Sequence, residues 1–161
     1  MSNSKGKMKV RKATNVIDDI EELKLLALKW KEECKGEGFG IELVPQIHYS
    51  DLAGLIEKDD ADLLLLMKRN KVVGYMGIFS FDSPLGNQRI AEEHYWFVSD
   101  NKRGHGTMLL IRAARQWAKQ HGCSHIIFNA SCLASDMHDR LCRFYEKIGF
   151  RKFETSYIKE L

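Results

Sequence analysis

The sequence predicts a mixed α/β domain built on a largely antiparallel sheet, and three observations support that prediction. Two strand-like runs, 62–68 and 72–81, are joined at Asn70-Lys71, a pair that fits a tight hairpin turn. Strand-like and helix-like patterns follow one another along the chain in the order β-α-α-β-β-β-α-β-α-β. The fourth and fifth strands are separated by a helix, which makes their connection a parallel crossover.

The amino-terminal third is predicted to hold one strand and two helices. Residues 8–13 alternate apolar and basic side chains, as a strand does. Asn15 can cap the helix that follows. Apolar residues then recur at helical spacing: Val16, Ile20, Leu23, Ala27 and Trp30. Residues 39–49 are expected to be irregular, and Ser50 is expected to cap a short helix that ends near residue 58.

The second half is predicted to alternate strands and helices. Residues 90–98 are expected to form the fourth strand and residues 125–130 the fifth. Ser135 can cap the last helix, and Gly149 stops it as a glycine just beyond the helix end. After Phe150 the chain is expected to continue as one or two short strands.

Length and composition are those of a single soluble domain over residues 1–161, with residues 1–7 expected to be disordered. The 44% hydrophobic and 29% charged fractions are ordinary, and the net charge of +3 suits an anionic cofactor. The longest apolar run, 63–67, is too short to span a membrane, and the polar start lacks a secretory signal pattern. A cytoplasmic protein without a membrane partner is therefore expected.

The four cysteines are expected to be free thiols in a reducing compartment. They are Cys34, Cys123, Cys132 and Cys142. None of them forms a Cys-x-x-Cys pair and none lies in a His-rich segment, so a disulfide or a zinc site is not expected.

A glycine-containing loop between the fourth strand and the next helix is the most informative segment. Residues 103–110 read Arg-Gly-His-Gly-Thr-Met-Leu-Leu. The first N–H groups of a helix lack partners within it, and the helix dipole favours negative charge there. Arg103 adds a permanent cation, so the loop is predicted to bind a phosphate-containing cofactor. It lacks the Gly-Lys-Ser/Thr of a Walker loop and the three glycines of a dinucleotide fingerprint.

This loop resembles motif A of the GCN5-related N-acetyltransferases, the GNAT family. Residues 144–150, Phe-Tyr-Glu-Lys-Ile-Gly-Phe, resemble the end of that family's motif B and follow about 40 residues later, in the family's order. The resemblance implies a sheet splayed between strands 4 and 5 and flanked by about four helices. It also implies an enzyme that transfers the acetyl group of acetyl-CoA directly to a primary amine of a small molecule or protein, without a metal.

The resemblance further implies where the cofactor binds. In the family, the loop holds the pyrophosphate, and backbone N–H groups of the fourth strand bind the pantetheine and polarise the thioester carbonyl. The matching residues here are Phe97, Val98, Arg103, Gly104, His105, Gly106, Thr107 and Met108. His105 could instead remain exposed. Asn129 and Ser131, at the end of the fifth strand, could face the cleft and reach the pantetheine arm, or Asn129 could simply cap the strand end.

Three residues are candidates for proton transfer. Tyr145 matches the motif B tyrosine that in many family members donates a proton to the departing thiolate. Glu92 is the first candidate base and His94 the second. Because side chains alternate along a strand, these two share one face and Glu93 takes the other, unless a bulge changes the count. A dedicated base could also be absent, since an amine can lose its proton to water.

The acceptor pocket is expected to be built by the first two helices and their connection. Its candidate residues are Trp30, Glu33, Phe39, Glu42, His48 and Tyr49. Aromatic rings beside carboxylates suit a cationic amine, although the same residues could serve packing or solvation. The acceptor itself stays open among a protein N-terminus, a lysine, a polyamine, an aminoglycoside and another small amine, and the chain could be a monomer or a homodimer.

Two rival functions remain. Met108 and His138 depart from the family's pattern, which leaves open a catalytically silent module that senses CoA or acetyl-CoA. A nucleic-acid-binding domain is disfavoured, because the basic residues are interspersed with 22 acidic ones and show no aromatic interleaving.

Overall fold

The computed structural model describes residues 6–14, 20–34, 36–131 and 137–161. The predicted caps at Asn15 and Ser135, the stripe residue Val16 and the thiol of Cys132 lie outside the described residues, as do residues 1–5. Cys34, Cys123 and Cys142 are free thiols. Among the described helices, none combines the length and the apolar character that a membrane span requires.

Five strands form one sheet whose spatial order is their order in the chain. They are β1 (Met8–Lys12), β2 (Ala61–Lys68), β3 (Lys71–Asp82), β4 (Arg89–Val98) and β5 (His125–Ile127). The pairs from β1 to β4 are antiparallel, and β4 pairs with β5 in parallel. The predicted mixed, mostly antiparallel sheet is therefore confirmed.

Four α-helices flank this sheet in the described part of the chain. They are α1 (Ile20–Glu33), α2 (Pro45–Gly54), α3 (His105–Gln120) and α4 (His138–Lys147). Helices α1 and α2 cover one face and α3 covers the other, so each face has its own apolar core. The number of helices agrees with the prediction.

Strand β2 shows why the sheet is sandwiched in this way. Leu63 and Leu65 point to the core under α1 and α2, while Leu64 and Leu66 point to the core under α3. All four are nearly inaccessible to solvent. Burying one leucine side chain contributes about 1.5–3 kcal/mol, so a strand that is apolar on both faces is most stable in the middle of the sheet.

Two local predictions were wrong. Helix α2 begins at Pro45, and Ser50 lies inside it. Proline suits the first helical position because its φ is already helical and its missing N–H would have had no partner there. The hairpin between β2 and β3 turns at Arg69 and Asn70, whose φ values are 50° and 66°. Both lie in the left-handed region that a two-residue hairpin turn favours, so β3 begins one residue earlier than predicted.

The carboxyl-terminal prediction was also wrong. Residues 150–161 contain no strand, and the large side chains of Phe153 and Tyr157 are 72% and 93% exposed. Strand β5 ends at Ile127 rather than at residue 130. A strand is stabilised by its ladder and by burial of one face, and a three-residue neighbour provides little of either.

Candidate active site

The parallel ladder between β4 and β5 ends early and leaves a gap in the sheet. Three residue pairs form it, the last being Glu92 opposite Ile127. Strand β4 continues to Val98 beside β3 alone. The predicted splay between strands 4 and 5 is thus confirmed, and the far half of β4 has an open edge among the described residues.

The backbone groups on this open edge can be assigned from the ladder. The Ser99 N–H donates to the Val73 carbonyl, at 3.0 Å between nitrogen and oxygen. Because successive residues direct their backbone N–H and C=O groups to opposite edges of a strand, those of Phe97 face β3 and those of Val98 face the gap. The same alternation directs Trp96, which sequence reasoning missed, toward the gap. Of the two predicted strand donors, Val98 is the one whose N–H faces the open edge.

A bulge interrupts β4 halfway along the open edge. Met76 pairs with Trp96 and Ile78 pairs with Glu93, so Gly77 alone lies opposite both His94 and Tyr95. A Cβ on Gly77 would come within 2.6 Å of Leu55 Cδ1 and 3.3 Å of His94 Cβ. Glycine therefore leaves the space in which both bulge residues project toward α1 and α2.

The side chain of Glu93 lies on the opposite face, toward α3, and is only 4% exposed. Its Oε1 accepts a hydrogen bond from the Asn129 backbone N–H at 3.0 Å, across the gap. Burial raises the pKa of this carboxyl to about 7, although the Asn129 N–H acts in the opposite direction. Sequence reasoning did not select Glu93. The sequence held one signal for it: residues two apart on a strand share a face, so Glu93 lies on the same buried face as Ala91.

Tyr145 and Asn129 lie together at the splayed end of β5. The Tyr145 hydroxyl donates to the Asn129 carbonyl at 3.3 Å, and the Asn129 side-chain amide donates to Glu92 Oε1 at 3.1 Å. Burial raises the pKa of Tyr145 well above its usual value, and nearby Glu93 raises it further. The phenol is therefore a protonated donor at neutral pH. Ser131 is exposed.

The predicted phosphate loop is built by two glycines with different roles. Gly104 has a φ of +79°, a conformation that side chains rarely adopt. Gly106 is buried, and a Cβ there would come within 2.7 Å of Leu66 Cδ2. Helix α3 begins at His105 without a side-chain cap. The first N–H groups of α3, at His105, Gly106 and Thr107, are therefore available to an anion.

Arg103 lies beside this loop but is already engaged. Its Nε donates to the Val98 carbonyl at 3.0 Å, and its two terminal nitrogens contact Asp100, at 2.7 Å, and Glu33. Three of the five N–H donors of the guanidinium are thus engaged, and the two carboxylates offset its positive charge. Glu33, predicted in the acceptor pocket, instead lies at the end of α1 and pairs with Arg103 beside this loop. A cleft of about 270 Å³ adjoins it, lined by Lys29, Glu32, Glu33, Phe97, Ser99, Asp100 and Asn101.

Aromatic and histidine side chains gather on the other side of the bulge, under α1 and α2. The rings of Trp30 and His48 stack with their centroids 3.8 Å apart, and the His48 Nε2 lies 2.7 Å from the Tyr75 hydroxyl. Burial lowers the pKa of His48 to about 4, so this ring is neutral at physiological pH. The edge of Tyr95 meets His48 with centroids 5.0 Å apart.

His94 completes this group, because its Nε2 contacts Oδ2 of Asp51 in α2. Sequence reasoning missed Asp51, because α2 was predicted to begin near that residue rather than at Pro45. Three further pocket candidates do not join the group: Phe39 and Glu42 are exposed, and Tyr49 packs against the core at its side.

The chain belongs to the acetyltransferase (GNAT) family, whose profile matches residues 25–150. The family and acyltransferase predictions are confirmed by this match. No curated protein sequence matches the chain significantly.

Solved structures with the same fold cover nearly the whole chain. A mutant of the BH1408 protein from Bacillus halodurans is 22% identical, with a TM-score of 0.76 over 94% of this chain and 98% of its own. The aminoglycoside N-acetyltransferase AAC(6')-Iy in complex with CoA is 15% identical, with a TM-score of 0.74 over 100% and 99% of the two chains. A ribosomal-protein-alanine N-acetyltransferase from Brucella melitensis is 17% identical, with a TM-score of 0.69 over 96% and 99%.

Proposed function

We propose that this protein transfers the acetyl group of acetyl-CoA directly to a primary amine of a small molecule or protein. The observation that carries the proposal is the open edge of β4 beyond Glu92, with the Tyr145 hydroxyl near one side and the bulge residues on the other. Family membership supports it, and so does the CoA bound by a protein of the same fold.

The open edge is the proposed site of the pantetheine arm. Backbone N–H groups of Val98 and Trp96 donate there, and the thioester carbonyl is polarised by donors whose positions are fixed before it binds. Asn129 borders the other side of the gap, and we propose that Ser131, two residues further on, also reaches the arm. The pyrophosphate is placed at the start of α3, where uncapped N–H groups and the helix dipole favour negative charge.

The chemistry requires two proton transfers and no metal. The amine nitrogen attacks the carbonyl carbon of the thioester, the new C–N bond forms, and the C–S bond breaks. Tyr145 donates its hydroxyl proton to the departing thiolate, and its high pKa keeps that proton in place until then. Glu92 or His94 accepts the proton that the nitrogen loses.

Binding and turnover should be measured separately. Acetyl-CoA or CoA at about 100 times its dissociation constant should stabilise the fold by roughly 2.7 kcal/mol, which a thermal-shift titration detects, while ATP and NAD should not. Absence of a shift with both CoA compounds would refute the cofactor assignment. A shift without thiol release, over a panel of amines, would instead favour the silent CoA-binding module.

Tyr145→Phe should lower turnover roughly 10²- to 10⁴-fold, the usual contribution of a positioned acid, and leave the CoA-induced thermal shift in place. Tyr157→Phe is the matched control, because Tyr157 is 93% exposed in the carboxyl-terminal tail. Turnover by Tyr145→Phe equal to that of the control at saturating substrate would remove Tyr145 from the mechanism.

A further inference from the structure

We infer that Asp51 is a positioning residue that holds His94 as the base for the acceptor amine, on the α2 side of the β4 bulge. The inference rests on the proposed function and selects between its two candidate bases. It also adds a residue of α2 to a site that would otherwise be built from the sheet, α3 and α4.

The pair joins two elements that are distant in sequence. Asp51 Oδ2 contacts His94 Nε2, and the two side chains are 47% and 31% exposed, so both border solvent. When the Nε2–H of a neutral imidazole donates to a carboxylate, the lone pair lies on Nδ1. The bond to Asp51 therefore fixes the tautomer and leaves Nδ1 as the proton acceptor. The same logic orients catalytic histidines on many unrelated folds.

The bulge and its neighbours fix the orientation of the His94 ring. Its centroid lies 4.5 Å from that of Tyr95 and 6.1 Å from that of Phe79, with the Phe79 ring nearly perpendicular. Gly77 lies beside the base of the side chain, since a Cβ there would come within 3.3 Å of His94 Cβ. With Asp51 on Nε2, the imidazole is held from several sides, as a base needs to be if it is to meet a bound amine in one geometry.

The other titratable groups on this surface are less suited to the role. Glu92 shares the face but accepts a hydrogen bond from the Asn129 amide across the gap. His48, also on α2, is 5% exposed and bonded to the Tyr75 hydroxyl. The Tyr95 phenol is protonated at neutral pH, because burial raises its pKa further. Among these groups, His94 is the solvent-bordering nitrogen base with a carboxylate behind it.

The nitrogen that reacts is a neutral amine. It loses one proton to His94 Nδ1 as the C–N bond forms, and the Nε2–H stays on the ring. The carboxylate of Asp51 stabilises the imidazolium that results and is not itself protonated. After the products leave, His94 gives this proton to solvent and Tyr145 regains the proton that it gave to the thiolate. The negative charge of Asp51 and the exposed ring of Tyr95 also suit an acceptor that carries a separate cationic group beside the reacting amine.

The test compares variants on one acceptor. Wild-type protein is first assayed for thiol release with acetyl-CoA and spermidine, neamine or a peptide with an amino-terminal alanine, and the fastest acceptor is used throughout. His94→Gln should lower kcat/KM roughly 10²-fold or more. Asp51→Asn should lower kcat less than His94→Gln does and leave the KM for acetyl-CoA unchanged, because an amide at this position no longer fixes the tautomer of the ring. Asp51→Glu, which returns a carboxylate, should restore part of the lost kcat.

Two comparisons separate positioning from a merely structural role. Asp59→Asn, which alters an exposed carboxylate at the α2–β2 connection, should leave both kcat and kcat/KM unchanged. Adding Asp51→Asn to His94→Gln should cause little further loss, because the two residues act as one unit. Loss of activity in Asp51→Asn that Asp51→Glu does not restore, or that adds in full to the loss in His94→Gln, would show a structural role and overturn the inference.

The remaining outcomes distinguish the inference from the function on which it rests. Wild-type turnover that is unaffected by His94→Gln or by Asp51→Asn would overturn the dyad and leave the acetyltransferase intact. Absence of wild-type thiol release with every amine would overturn the proposed function, and the dyad with it.

Discussion

The buried carboxyl of Glu93 should make this protein less stable as the pH rises through neutrality. Its side chain is 4% exposed, and burial raises its pKa from the ordinary 4.5 to about 7. The folded state therefore binds this proton more tightly than the unfolded chain does. The resulting stabilisation is fully present below pH 4.5 and is lost as the pH rises through 7. At ~1.4 kcal/mol for each pKa unit, the loss is about 3 kcal/mol.

Glu93→Gln isolates this effect. The amide oxygen can still accept the Asn129 N–H, which lies 3.0 Å from the carboxylate oxygen, but the side chain cannot ionise. The free energy of unfolding, measured by urea denaturation from pH 4.5 to 8.5, should fall less steeply in the variant. The difference between variant and wild type should grow in favour of the variant by about 3 kcal/mol across that range.

The control for this experiment is Glu57→Gln, which removes an exposed carboxylate on the short turn after α2. Its unfolding free energy should follow that of the wild type at every pH. Parallel curves for wild type and Glu93→Gln would refute the reasoning, because they would mean that Glu93 ionises as easily in the folded protein as in the unfolded chain.

Two further predictions concern stability. Gly104→Ala should cost about 1–2 kcal/mol of unfolding free energy, because the φ of +79° strains any side chain although the added Cβ meets no atom within 4 Å. Gly38→Ala, where space is also open and no left-handed φ is required, should cost less, and equal losses would contradict the strain argument. Tyr75→Phe should cost about 1–3 kcal/mol by leaving the His48 Nε2 unpaired in the core. Urea denaturation measures this loss of unfolding free energy, with Tyr157→Phe as the control. A loss no larger than that of the control would show that the hydrogen bond between Tyr75 and His48 contributes nothing.

The parts of the fold that sequence reasoning predicted correctly are those with a local or repeated signal. The apolar run 62–68, the hairpin beside Asn70 and the glycines at residues 104 and 106 each carry a signal in their own residue types: the run favours a buried strand, and the glycines permit backbone conformations that other residues rarely adopt. The order of the strands and the splay followed from the two motifs at family spacing. These features required no knowledge of which distant residues meet.

The remaining features depend on contacts between distant residues. The inward position of Glu93 requires Asn129 as its partner, and the role of Asp51 requires knowing that α2 lies over the bulge. The start of α2 at Pro45 had a local signal, the preference of proline for the first helical turn, which was overlooked. The prediction of strands after Phe150 was wrong for the opposite reason. It followed what the family resemblance implied, but β5 is too short for a further strand to pair with it.

The bulge in β4 behaves as a one-residue insertion in an otherwise regular ladder. Glu93 and Trp96 both point toward α3, and two residues rather than one separate them. If the extra residue were removed, every other side chain of β4 would keep its face and its partner on β3. The sheet itself therefore does not require both His94 and Tyr95. Changes confined to this position can alter the chemistry of the proposed acceptor site while leaving the core under α3 undisturbed, because His94 and Tyr95 both project toward α1 and α2.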